Sequence, residues 1–469
     1  MKRHLFFLFS FFFILSLFAQ NEVENFINSD LLRHANVSLM VKDISSGKVM
    51  YQHRPNNATI PASTMKTVTT AAALELLGAD YRFKTILEYD GKIEKDGTLH
   101  GNLYIKGSGD PTLGSSKLGD TLFLRRWLEE VKRAGIKKIT GNIMADNSSY
   151  DDEGVNPRWT WEDMGNYYAA GAYGISYKDN AYTIQFRSKA AGTTPDIVKI
   201  IPNIAELRFN NRLKSTAIKF DSCYIYGAPR SYERSIYGEI PANRPQFNVK
   251  GDIPRPGLLL AQDFREELIK NNISVSGDAK EVFWNNKTPK TTLYTHLSPA
   301  LRDIVKETNV QSNNHYAEHV FRHLSLQKST VASSNLAIEV IVNFWKSKSL
   351  PTEQLFMYDG SGLSPLDAVS AAFFVELLTY MDASKNNTDF RASLPIAGVT
   401  GTLKSFLNGT PLQGKVRAKS GTISRVRCYV GYVDANNKKW AFAILVNNAN
   451  GSARAVTNKI EEFLKEIVK

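Results

Sequence analysis

The stretch GKVRAKSGTISRVRCYVGYVDANNKKWAFAILVN, residues 414–447, reads as three β-strands in succession. Gly414 to Thr422, Arg427 to Val433 and Trp440 to Asn447 are rich in β-branched and aromatic residues, and the turn Asp434-Ala435-Asn436-Asn437 joins the second to the third. The segment that follows, Ala453 to Val468, sets Val456, Ile460, Phe463, Leu464 and Ile467 on one helical face. At the other end of the chain, Val37 to Asp43 and Val49 to His53 are two further strands around the hairpin signal Ser45-Ser46-Gly47-Lys48. Two strands from one end and three plus a helix from the other predict an α/β (α+β) domain, an antiparallel five-stranded sheet flanked by helices. The residues between are then helices and insertions.

Those insertions have their own pattern. A helix, Leu122 to Ala134, precedes the strand Lys138 to Ala145, and the same order recurs as Leu258 to Lys270 followed by Ile273 to Ser276. Between them lie the short alternating runs Tyr182 to Phe186, Ile197 to Ile201, Ala217 to Phe220 and Cys223 to Tyr226, a further β-rich insertion.

At 469 residues the chain is long enough for two to four domains. A hydrophobic content of 43% with 22% charge excludes wholesale disorder and a multi-span membrane protein. The 58 basic residues against 46 acidic give +12, but the excess is scattered. With no dense basic stripe and no interleaved aromatics, no nucleic-acid partner is expected. Lys2-Arg3, the apolar run Leu5 to Phe18 and Ala19 read as an export signal, too short to span a bilayer. Two cysteines, Cys223 and Cys428, neither require a disulfide nor supply a metal framework. Cys428 reads as a small buried hydrophobe in a strand.

Three short elements carry the chemistry. Ser63-Thr64-Met65-Lys66 opens a helix after Pro61, and at i and i+3 the Lys66 amine can reach the Ser63 hydroxyl. The positive helix end would favour a developing oxyanion there. Ser312-Asn313-Asn314 follows the helix-like Pro299 to Thr308, and from a tight turn a hydroxyl and an amide can both face a cleft. Lys419-Ser420-Gly421-Thr422 lies on a predicted strand, where a cation and hydroxyl suit a carboxylate and Gly421 permits close approach. Each of the first two patterns recurs by chance, as at Ser45–Lys48 and Ser333–Asn335, whereas the third occurs once.

In this order and context, the three resemble the signature of the class C low-molecular-mass penicillin-binding proteins, the D-Ala-D-Ala carboxypeptidase/endopeptidases. The stretches Gly101 to Leu113, Asp359-Gly360-Ser361-Gly362-Leu363-Ser364, Leu394 to Gly398 and Gly401-Thr402-Leu403 add to the likeness, which runs over essentially the whole mature chain. The resemblance implies a penicillin-binding, serine β-lactamase-like transpeptidase fold with two nested inserted domains. The implied division is a signal in 1–19, a catalytic domain of 20–83 and 286–469, one inserted domain of 84–167 with 249–285, and a second of 168–248. The 249 positions between Ser63 and Ser312 fit such insertions.

The resemblance also implies a mechanism. Ser63 attacks the carbonyl between two D-alanines of a peptidoglycan stem peptide, and Lys66, its pKa lowered by burial beside Lys419, takes the proton. Ser312 relays it to the leaving amine, Asn314 holds the acyl peptide, and Lys419, Ser420 and Thr422 bind the terminal carboxylate. Thr422 N–H serves the oxyanion, with Gly421 giving access. Penicillins, as β-lactam mimics, should acylate the same serine. No cofactor and no metal is required. Asp146, in Ala145-Asp146-Asn147-Ser148, matches a family position near the substrate's side-chain amine, although an Asp after a strand is also a turn former. Where the family commonly has an arginine and an asparagine after its Ser-Gly-Leu-Ser, this chain has Pro365 and Asp367. The expected location is the periplasm or cell-wall space, with peripheral membrane association left open.

One rival enzyme class is written in the same region. His315-Tyr316-Ala317-Glu318-His319 fits H-x-x-E-H, a zinc peptidase motif, with both histidines on one helical face. A non-enzymatic peptidoglycan-binding module is the other alternative.

Overall fold

The five strands expected from the two chain ends pair into one sheet. The computed structural model describes residues 21–284 and 287–469, so the expected export signal lies outside the described residues. The described residues fall into two compact units: those of 21–79, 305–313 and 338–469 form the first, those of 80–304 and 314–337 the second.

In the first unit the strands are β1 (Asn36–Asp43), β2 (Val49–His53), β3 (Val416–Ile423), β4 (Val426–Ala435) and β5 (Lys438–Asn447). Their order is β2-β1-β5-β4-β3 with every pair antiparallel, so the chain ends meet at the β1–β5 ladder from Asn36↔Asn447 to Asp43↔Trp440. Three helices matter here: α1 (Met65–Leu77), α2 (Ala371–Ala383) and α3 (Ala453–Val468). Helix α3 starts at Ser452, whose hydroxyl caps Ala455 N–H, and its predicted apolar face packs into one core with Val37, Leu39, Phe442 and Ile444. Helix α2 packs on β1 and β5. The predicted four-residue turn is tighter than expected. Pairing continues to Ala435↔Lys438, leaving Asn436-Asn437 as a two-residue hairpin with φ of 52° and 59°, a conformation asparagine tolerates.

The second unit contains the two expected helices, Phe123–Arg133 and Pro256–Lys270, within a core that includes Leu87, Trp127, Phe264, Ile184 and Ile236. Two expectations fail there. The run Lys138 to Ala145 is two strands, Lys138–Ile139 and Ile143–Asp146, in different sheets. They break at Gly141, where a Cβ would sit 2.3 Å from the Gly101 carbonyl oxygen. Ala217 to Phe220 is not a strand; pairing ends at Thr216, and Phe220 is 83% exposed, so its alternation faces no core. Both cysteines are free thiols, Cys428 buried and Cys223 partly so.

Candidate active site

Pro61 leads into a 3₁₀ turn, Ala62–Thr64, which runs directly into α1. Thr64 Oγ1 ties the turn back by donating to the Pro61 carbonyl at 2.7 Å. Helix α1 is apolar or small on nearly every side and most of it is buried, so it acts as a central helix rather than a surface one. Its start places Ser63 half-buried and Lys66 fully buried, with Lys66 Nζ 2.9 Å from Ser63 Oγ. The i, i+3 relation read from the sequence is therefore a direct contact.

Lys66 Nζ also donates to the Ser361 carbonyl at 2.7 Å, a partner 295 positions away. The loop that presents this carbonyl is organised by the buried Asp359 carboxylate. It accepts from the backbone N–H groups of Ser361, Gly362, Leu363 and Ser364 at 2.6–3.1 Å. Gly362 has φ of 74°, and a Cβ there would lie 1.9 Å from the Ala62 carbonyl oxygen, so the loop is seated against the serine turn. This motif contributes a backbone carbonyl rather than a reactive side chain, which no residue pattern announces. Only the acid and glycine that seat its loop were available as a signal.

Ser312 occupies the turn after helix Leu301–Val310, with φ of 57°. Asn309, one turn earlier and fully buried, donates to Thr70 Oγ1 at 3.1 Å and to Ser393 Oγ at 2.9 Å, which pins that helix end to α1. Lys419, on β3, donates to Ser312 Oγ at 3.0 Å and to the Ser420 carbonyl at 2.7 Å. Lys419 is fully buried, and its pKa lies well below the ordinary lysine range, first through desolvation and then through the charge of Lys66. Two buried lysines thus each meet a half-buried serine hydroxyl, and the charge of one acts on the other.

Strand β3 is the edge of the sheet. Ala418 N–H points off the edge to the Pro395 carbonyl at 3.0 Å. By the two-residue alternation of a strand, the N–H groups of Ser420 and Thr422 point the same way. Gly421 lies against the serine turn: a Cβ there would be 2.4 Å from Pro61 O and 3.2 Å from Ser63 N. Ser420 Oγ donates to Thr402 Oγ1 at 2.8 Å. Thr402 is held by Gly401, where a Cβ would meet the Val310 carbonyl oxygen at 2.1 Å. Asn309 and Thr402 went unassigned from sequence.

The first unit therefore gathers Ser63, Lys66, Ser312, Lys419, Ser420 and Gly421, with Thr422 exposed at the end of the same edge. Asn314 and Asp146 belong to the second unit. Asn314 begins the helix Asn314–His323 and donates to the Tyr168 carbonyl at 2.9 Å. Asp146 is 2% exposed; one oxygen accepts from Ser148 N–H at 2.9 Å and the other is 3.5 Å from Lys290 Nζ.

The histidines of the zinc-like motif are buried in the second unit, His315 Nε2 2.8 Å from Ser176 Oγ and His319 Nδ1 3.0 Å from the Gly109 carbonyl. Among the described residues, no group of three or more His, Cys, Asp or Glu side chains is arranged to hold a metal ion.

The profile of the D-Ala-D-Ala carboxypeptidase 3 (S13) family matches residues 19–467. A D-alanyl-D-alanine carboxypeptidase of Actinomadura sp. (strain R39) is 28% identical over 451 residues, covering 92% of this chain and 82% of the relative. The D-alanyl-D-alanine carboxypeptidase DacB of Haemophilus influenzae is 25% identical over 449 residues, covering 94% and 91%. The crystal structure of penicillin binding protein 4 from H. influenzae shares the fold, with a TM-score of 0.81 at 23% identity over 96% of this chain and 99% of that one.

Proposed function

The chain belongs to the D-Ala-D-Ala carboxypeptidase 3 (S13) family and is a serine-type DD-peptidase of peptidoglycan; from that premise, we propose that Ser63 is its nucleophile and Lys66 its general base. The observation that carries this reading is the 2.9 Å contact of Lys66 Nζ with Ser63 Oγ beside the 3.0 Å contact of Lys419 Nζ with Ser312 Oγ.

Two ammonium groups buried together cannot both hold their protons cheaply, so the pair shares a deficit of one. A substrate carboxylate arriving at Lys419, Ser420 and Thr422 favours the charged form of Lys419 and leaves Lys66 as the neutral partner, beside the nucleophile. Ser63 Oγ then attacks the carbonyl between the two D-alanines and passes its proton to Lys66. The N–H groups of Ser63 and Thr422 receive the oxyanion. Ser312 hands a proton to the departing amine, the C–N bond breaks, and D-alanine leaves. Asn314 holds the acyl peptide until water hydrolyses the ester and restores Ser63.

An edge strand with outward N–H groups suits an extended peptide, which supports action on D-Ala–diamino acid cross-links as well as on free stem termini. Asp146 takes a substrate ammonium in exchange for Lys290. β-Lactams acylate Ser63; the H. influenzae protein has been crystallised with a β-lactam, and a Bdellovibrio bacteriovorus endopeptidase in its penicillin G-acylated form. For the nested division into 20–83 with 286–469, 84–167 with 249–285, and 168–248, the support is the self-contained sheet of the two chain ends; near the proposed boundaries at 286 and 249, Thr291–Leu297 pairs with Lys84–Tyr89 and Phe247–Asp252 with Ala181–Arg187. No helix among the described residues is long and apolar enough to cross a membrane. The basic, apolar start of the chain supports export to the periplasm or cell-wall space.

The test is intact mass after incubation with a fluorescent penicillin, with wild type, Ser63→Ala and a chelator-treated sample side by side. A chelator-resistant adduct absent only from Ser63→Ala is expected. An adduct on Ser63→Ala, or none on wild type, overturns the assignment.

A further inference from the structure

In the second unit, strands Arg208–Asn211, Tyr224–Tyr226 and Glu233–Tyr237 form a three-stranded sheet. Ile225 and Ile236 pair across it and are fully buried. The period-2 alternation of strands then turns Tyr224, Tyr226, Ser235, Tyr237 and Asn210 to the opposite face. Tyr224 and Tyr237, paired directly, are 39% and 47% exposed. The ring centroids of Tyr226 lie 5.7 Å from Tyr237 and 6.2 Å from Trp161, which is itself 55% exposed. Trp161, Tyr226 and Tyr237 line a cavity of about 630 Å³ whose rim carries Asn210, Ser231, Glu233 and Ser235. That volume suits a small ligand or a short run of sugar rings.

The charges around this cavity narrow the choice of occupant. Arg234 also lines it, but it is 1% exposed and its guanidinium is 2.9 Å from Asp252, so its charge is already matched. Glu233 stands at the rim, and the carboxylates of Glu162 and Asp163 act on Tyr224. A phosphate or an anionic lipid surface meets like charge here. A neutral ligand with one C–H face and a hydroxyl or acetamido edge meets aromatic planes on one side and short amide, hydroxyl and carboxylate groups on the other. Pyranose rings have that construction.

We propose that this aromatic cavity binds the glycan backbone of peptidoglycan, a β-linked chain of N-acetylated amino sugars, through stacking on Trp161, Tyr226 and Tyr237. The choice of ligand rests on the DD-peptidase reading, since stem peptides are attached to that polysaccharide. The cavity itself lies wholly within the second unit. A peptide-cleaving enzyme gains from it a hold on the polymer that is independent of the peptide.

The experiment uses the full mature chain as wild type, Trp161→Ala, Tyr237→Ala and Trp161→Phe, with thermal unfolding of each to confirm folding. Cosedimentation with purified insoluble peptidoglycan is measured with and without a soluble β-1,4-linked N-acetylglucosamine tetramer as competitor, and penicillin acylation is measured in parallel. Both alanine variants should sediment about fivefold less at half-saturation while acylating at the wild-type rate. Trp161→Phe should retain most of the binding, and the tetramer should compete with the wild type. Sedimentation of folded alanine variants equal to wild type overturns the proposal. So does a tetramer that fails to compete while phosphatidylglycerol vesicles capture the protein through Trp161. Tetramer binding lost in Trp161→Ala by a chain that penicillin never acylates would uphold the glycan site and refute the role of Ser63.

Discussion

Both units bury bases, and they put them to different uses. In the first, Lys66 and Lys419 are wholly buried, yet each touches a serine hydroxyl, and Ser63 is only half-buried. In the second, His315, His319 and His323 follow one face of a helix among aromatic rings. His315 and His319 have centroids 4.5 Å apart, and His323 lies 4.5 Å from Phe83. Burial holds down the pKa of Lys419 and of all three histidines. A depressed pKa is thus common to the two sites and does not distinguish them. What differs is the neighbour: a half-buried hydroxyl beside the lysine pair, and closed packing around the histidines.

The sharpest break of that comparison is to remove one base from each region. Lys66→Gln should slow penicillin acylation and hydrolysis of a D-Ala-D-Ala-terminated peptide by roughly 10²–10⁴-fold, the usual range for a lost general base. His319→Gln should leave both rates within about twofold, because the imidazole is sealed away from solvent. Equal losses in the two variants would mean that burial, not the serine contact, is what matters. A smaller effect is expected at Gly421, where an added Cβ would lie 2.4 Å from Pro61 O, a backbone atom that cannot swing aside. Gly421→Ala should part β3 from the serine turn, slowing acylation roughly ten- to a hundredfold. Its unfolding free energy should fall by about 1–3 kcal/mol, measured in urea.

Coupling between the two lysines is testable through pH. The base must be neutral, so acylation declines as pH falls through the titration of the pair. Lys419→Met removes the like charge that discourages protonation of Lys66. The acid limb of the acylation rate should therefore move upward by about one pH unit, alongside any loss in absolute rate. A limb that stays in place would show that the two amines titrate independently.

Much of this site is legible in the sequence because its parts are local. Ser63 and Lys66 are one helical turn apart, and Lys419, Ser420 and Gly421 sit within one strand, so spacing makes each set neighbours, while the family resemblance separates them from chance recurrences such as Ser45–Lys48. What the sequence leaves hidden is long-range. The Ser361 carbonyl, 295 positions from Lys66, acts through its backbone, and any residue type could have supplied it. Asn309 and Thr402 work through hydrogen bonds to residues distant in the chain, which leave no spacing to read. The fold shows the same division. The sheet from the two chain ends follows from alternation in long apolar strands, whereas Ala217 to Phe220 alternates without a core to face, and Gly141 breaks a strand because another backbone lies against it.

The smallest expected effect concerns stability rather than rate, and it sharpens the histidine side of the comparison. Desolvation holds His319 down to about 3 and His323 to about 4, against roughly 6.5 in an unfolded chain. As pH falls below about 6.5, the unfolded chain takes up protons that the folded chain refuses, so it is the unfolded state that gains. The stabilisation from neutral burial is complete above that pH and is lost as pH drops toward 4 and then 3. Each histidine should contribute about 1 kcal/mol of lost stability per pH unit within this window. Urea unfolding at pH 7, 6, 5 and 4 should therefore show a slope that decreases by close to one proton in His319→Gln. Lys66→Gln should leave the histidine contribution in place, since it alters neither imidazole. An unaltered slope in His319→Gln would mean that the imidazole reaches solvent before the second unit unfolds, and the contrast between a closed base and a working one would then lose its physical basis.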